Sequence, residues 1–139
     1  VDIATAYEYL FDINLALHYI TKALKIDRKD PEVLMNYGRT LLFGGTEPKK
    51  AKEFLLKSLN KGEKDVVYGN LGHWELVYGN LKNAYHFYRN CIVLMDDGKH
   101  FVKCCDRDYP LLEKLGVKRN VYNEMKEEMV KYLKESKDK

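Results

Sequence analysis

Apolar residues recur along the chain at spacings of three and four, the period of helices with one buried face. The clearest run is Asp65 to Asp96, DVVYGNLGHWELVYGNLKNAYHFYRNCIVLMD. Leu71-Gly72 stands in one helical pattern, Tyr78-Gly79-Asn80 interrupts it, and Ala84, Tyr88 and Cys91 follow at spacings of four and three. Gly72 and Ala84 lie twelve apart, so a small residue falls on each arm of a helix hairpin and lets the two backbones approach. Asn80 predicts the N-cap of the second arm, where its side chain accepts a free amide hydrogen.

The same phase extends toward the N-terminus. Gly38 falls 34 residues before Gly72 and 34 after Ala4. Asp30-Pro31 is a strong helix start, an acceptor at the N-cap and then a proline where a missing N–H costs nothing. Phe43-Gly44-Gly45-Thr46-Glu47-Pro48 reads as the turn of this hairpin, with Thr46 as the expected cap of the next helix. Ala51, Leu55 and Ser58 then fill the slots that Ala84, Tyr88 and Cys91 occupy downstream, and Ala16, Ile20 and Ala23 fill them upstream. Tyr7 stands three residues beyond Ala4, and Leu17 and Leu24 extend the apolar stripe after Asp12, the expected cap of that helix.

Asp97-Gly98 is expected to end the second arm of the 65–98 repeat, and beyond residue 98 the pattern weakens. The next repeat would place Asp106 in the small-residue slot and Pro110 inside a helix, at a cost of about 3 kcal/mol. The expectation is a short helix over 99–106, a turn at Asp108-Tyr109-Pro110, a short helix over 110–115 closed by Gly116, and a last helix from Asn120. That last helix carries Val121, Met125, Met129, Tyr132 and Leu133 on one face, an amphipathic cover for an open apolar end.

The Leu-Gly of the first arm, the Ala-x3-aromatic of the second and the 34-residue period together resemble the tetratricopeptide repeat (TPR). The resemblance covers residues 1–98, as a shortened repeat over 1–30 and full repeats over 31–64 and 65–98. Residues 99–139 are a degenerate fourth unit and a C-terminal capping helix. It implies an all-α fold, a right-handed α-α superhelix of antiparallel helix hairpins. It also implies a concave groove, lined by the first helix of each repeat, that takes an extended peptide or a partner helix. Carried onto this chain, the groove residues are Thr5, Glu8 and Tyr9; Met35, Asn36, Arg39 and Leu42; and Gly69, Asn70, His73, Leu76 and Val77. Asn36 and Asn70 can bond a peptide backbone, since an amide both donates and accepts, and can equally bond a neighbouring helix. The Lys/Arg clamp with which some members hold a chaperone's C-terminal carboxylate is missing. Val1, Thr5, Val66 and Asn70 occupy its slots and only Asn36 matches.

Composition narrows the picture. The chain has 139 residues, 45% hydrophobic and 32% charged, enough for a core without disulfides or metal. A net charge of +3 with interspersed signs gives no electrostatic footprint for nucleic acid, and no apolar run approaches the roughly 20 residues of a membrane span. Three cysteines, an odd number with Cys104 and Cys105 adjacent, point to a reducing, cytoplasmic setting. VDIATAYEYL reads as starting inside a helix, so the segment is expected to be the C-terminal part of a longer protein.

Candidate chemistry is sparse. His100 and Cys104 share a helix face, but structural zinc generally needs four ligands in paired motifs. A catalytic cysteine needs a base beside it, and neither His73 nor His86 is placed there by spacing. Ordinary burial of small thiols is the expected reading of Cys104 and Cys105, with a redox role for the vicinal pair as the alternative. Asp106-Arg107-Asp108 and Glu127-Glu128 lack calcium-loop spacing and read as solvated faces or caps. Gly44-Gly45 is not followed by the Gly-Lys-Ser/Thr of a phosphate loop. Most of the eleven tyrosines read as packing. The expectation is therefore a non-enzymatic interaction module without cofactor or metal, binding a protein or peptide. The alternative is a structural spacer or self-association segment of a larger TPR protein, with no ligand of its own, whose N-terminal repeat packs on upstream repeats or on another copy.

Overall fold

A computed structural model describes residues 12–60 and 63–138. Asp12 accepts from the Leu15 amide at 3.1 Å and opens α1, Ile13–Ile26. Asp30 accepts from the Glu32 amide at 2.9 Å and, with Pro31 at the first helical position, opens α2, Pro31–Gly44. Gly45 ends α2 in the left-handed region (φ 75), and α3 follows over Pro48–Leu59. Next come α4, Lys64–Tyr78, and α5, Leu81–Met95, the latter capped by Asn80 on the Asn83 amide at 2.8 Å. The last two are α6, Gly98–Lys114, and α7, Arg119–Lys137. The described residues contain helices and no strand, and consecutive helices pack on one another.

Three of the local expectations give way. Thr46 caps nothing; Glu47 sits at the N-cap of α3 without a side-chain bond, and Pro48 begins the helix. Asp97 starts α6 instead of ending α5, accepting from the His100 amide at 3.0 Å, while Asp96 terminates α5 with φ 53. Most importantly, Pro110 does not break the chain into two short helices, because α6 runs through it. The bond that proline cannot make belongs to the carbonyl of Asp106, and both residues are exposed, so water can serve it. On the buried side the Tyr122 hydroxyl donates to the Cys105 carbonyl at 2.9 Å. Asp108, Tyr109, Leu111 and Leu112 are buried around the proline. Anchoring on both sides outweighs a local penalty of about 3 kcal/mol.

The repeated small residues do what their spacing implied. A Cβ on Gly38 would lie 2.9 Å from the Leu55 side chain and 3.0 Å from the Ala51 carbonyl. On Gly72 it would lie 2.6 Å from the Tyr88 ring. Thus α2 packs closely on α3 and α4 on α5, over Ala51, Leu55, Ala84 and Tyr88, all fully buried. Gly72→Ala should lower stability by about 1–3 kcal/mol in denaturant titrations, although alanine gains about 1 kcal/mol in helix propensity. A stabilised variant would mean that the hairpin is not held this tightly.

Polar ties connect one hairpin to the next. Trp74 Nε1 donates to the Pro48 carbonyl at 2.8 Å, and the Tyr78 hydroxyl to the Leu42 carbonyl at 2.7 Å. Glu75, buried, receives Lys52 Nζ at 3.0 Å. At the other end α6 and α7 run antiparallel, with Gly98 beside Val130 and Leu133, and Asp106 paired with Lys126.

Candidate functional site

Residues spaced three and four apart on α2 and α4 face one another, and there Arg39, Asn70 and His73 converge. Arg39 is 6% exposed, Asn70 2% and His73 3%. An arginine so buried needs a compensating charge, and α6 supplies it. Asp108 receives Arg39 Nη2 at 2.8 Å on Oδ1 and Arg39 Nη1 at 3.1 Å on Oδ2, the bidentate arrangement that a guanidinium and a carboxylate favour. Arg39 Nη1 also donates to Asn70 Oδ1 at 2.9 Å, and Asn70 Nδ2 points to the Met35 sulfur at 3.2 Å. The guanidinium lies 4.8 Å from the centre of the Phe43 ring, one helical turn further along α2.

His73 extends the cluster. Its Nε2 lies 3.1 Å from Asp108 Oδ2 and its Nδ1 2.6 Å from the Tyr88 hydroxyl. An ionised carboxylate only accepts, so Nε2 carries the hydrogen and the tyrosine hydroxyl donates to Nδ1. Burial opposes charge on Asp108, but the charge of Arg39 and the hydrogen bonds from His73 and Arg39 outweigh it and hold the carboxyl well below its usual range. Burial, with the nearby acidic groups, drives the Tyr88 hydroxyl well above the usual tyrosine range, so it stays protonated. Among the described residues no buried side-chain nitrogen or oxygen lacks a partner. An Asp–His–Tyr series can relay protons only where a substrate reaches it, and Tyr88 is fully buried. In this arrangement the cluster holds helices together.

The residues expected to line a groove therefore have mixed placements. Arg39 and His73 come together on Asp108, and Asn70 joins them through its bond with Arg39. Asn36 and Leu42 are buried as well, and Met35, Gly69, Leu76 and Val77 are half-buried. Thr5, Glu8 and Tyr9 lie outside the described residues. A recess of about 470 Å³ opens beside Met35, between the first turns of α2 and α4, over Pro31, Val66 and Val67 and beneath Asp30, Glu32 and Glu63.

Asp108 was expected on a solvated face and is instead 4% exposed. A signal for it was present, because Phe101, Cys105, Asp108 and Leu112 follow one another at four, three and four and share the buried stripe of α6. Glu75 was missed in the same way.

The cysteines are free thiols. Burial, then the nearby charges of Asp65 and Cys104, pushes Cys91 up to about 12. Burial likewise raises Cys105 and Cys104. Cys104 Sγ lies 3.7 Å from His100 Nε2 on an open face. Among the described residues no three His, Cys, Asp or Glu side chains gather as a metal site, and no helix is long and apolar enough to cross a membrane. Compared with known proteins, the chain has no significant match to a family model, a curated protein or a solved structure.

Proposed function

We infer that the chain is a protein–protein interaction module, a TPR-type α-solenoid segment that takes a short peptide at the open end of the α2–α4 face. The observation that carries this reading is the recess beside Met35. Its apolar floor and acidic rim lie next to the buried cluster on the face expected to bind. A preformed groove holding a few side chains of an extended ligand gives micromolar-class affinity. The free cysteines suit a reducing, cytoplasmic compartment.

A second reading, a structural spacer or self-association segment, draws support from Asp108, which occupies the centre of the same face. The two separate by selecting a random displayed peptide library on the intact chain and synthesising the peptides it enriches. The module reading expects these to bind with micromolar Kd and to lose about tenfold or more with Met35→Ala or Val66→Glu, while the melting transition stays cooperative. Peptides indifferent to both substitutions, or no enrichment, would leave the spacer reading standing.

A further inference from the structure

The packing of α6 against α7 differs from that of the earlier pairs. In the two central hairpins the helices touch along their length, whereas α6 and α7 make few close backbone approaches and α7 leans more on α5. Between the first half of α6 and the second half of α7 this leaves a trough. It consists of recesses of about 750 and 520 Å³ that share Val102, Val130 and Lys134. Leu133 completes an apolar floor.

The banks are cationic. Six lysines line the two recesses against three carboxylates, an excess of three, as large as the net charge of the whole chain. Lys137 pairs with Asp96 and Lys126 with Asp106, and Asp97 is committed to the start of α6. Lys99 and Lys103 on one bank and Lys131 and Lys134 on the other have no ion pair among the described residues. Free cations on both sides of an apolar floor demand a ligand that is acidic along both edges and apolar between them.

We propose that this trough docks an acidic amphipathic helix of a partner protein. The lining residues on α7 run from Asn123 to Lys137, which at 1.5 Å per residue spans about 21 Å, four turns of a helix. A groove between two helices accepts the side-chain ridge of a third. An extended peptide would find no sheet edge to pair with among the described residues. A bilayer is the wrong shape, since membrane binding requires protruding apolar side chains and Val102, Val130 and Leu133 are recessed below the lysines. The proposal does not rest on the peptide-binding reading of the α2–α4 face, which lies on other helices.

The test is fluorescence anisotropy on the intact chain. The probe is a labelled synthetic helix of about 18 residues, with leucines on one face flanked by glutamates. Its controls are a scrambled sequence of the same composition and the same helix with lysine for glutamate. Micromolar binding of the acidic helix alone is expected, weakened about tenfold or more by Lys103→Glu/Lys134→Glu, a change of surface charge that leaves the fold intact. Val130→Ser should weaken it independently of charge. Equal binding of the scrambled peptide, or no effect of the double substitution, would overturn the proposal. So would binding of phosphatidylserine vesicles without the helix, or self-association of the wild-type chain that the double substitution abolishes.

Discussion

Asp108→Ala should destabilise the protein by about 3–5 kcal/mol, the loss expected when one member of a buried ion pair is removed and the other stays behind. Arg39 would keep its charge at 6% exposure without the carboxylate that offsets it, and His73 Nε2 would lose its acceptor. Denaturant midpoints at neutral pH read the effect directly, and an unchanged midpoint would mean that Arg39 reaches solvent. Arg39→Ala/Asp108→Ala should cost less than the sum of the single changes, because removing both members leaves no stranded charge. The pH dependence has a definite sign. A carboxyl whose folded pKa is lowered contributes stability that is complete above its unfolded value, about 3.9. That contribution is lost as pH falls toward the folded value. Acid unfolding should therefore flatten below about pH 4 in Asp108→Asn, which is less stable at neutral pH but has no proton to take up at this position.

Tyr88→Ala should cost about 3–5 kcal/mol, transfer free energy and cavity combined. The ring fills the space beneath Gly72, meets Phe101 edge-on at 6.2 Å between centroids, and carries the hydroxyl that satisfies His73. Tyr88→Phe isolates the hydroxyl and should cost about 1–3 kcal/mol, since it leaves His73 Nδ1 without a donor. The informative combination is with Gly72→Ala. Once the ring is gone, the added methyl no longer collides and fills part of the cavity, so a change that harms the wild type should be neutral or favourable on the Tyr88→Ala background. Additive losses would mean that Gly72 and Tyr88 do not meet.

What was legible in the sequence was what local chemistry decides. Asp12, Asp30 and Asn80 cap helices because a short acceptor before an apolar run has few better uses. Gly38 against Leu55 and Gly72 against Tyr88 were visible as a period of small residues, since close backbone approach excludes a side chain. Pro110 was misjudged for the complementary reason. A proline's cost is local, and what overcomes it here is burial contributed by α7 and by the cluster around Asp108. The candidate site was half visible. Arg39, Asn70 and His73 are among the residues that the TPR resemblance assigns to a groove, but the carboxylate that Arg39 and His73 share stands 69 residues from Arg39, on a stretch whose charged neighbours suggested water. Neither caps nor periodicity carries information over that distance.

Stacked helical hairpins ordinarily touch only their neighbours, and such arrays deform like a spring, each unit yielding a little against the next. One carboxylate changes that here. Asp108, in the α6–α7 pair, grips Arg39 in the α2–α3 pair and reaches His73 in the pair between them. The bond skips a unit, so twisting or stretching the middle hairpin must strain a contact between its two flanks. Under load this segment should act as a strut, passing force along its length without lengthening until the buried pair gives way.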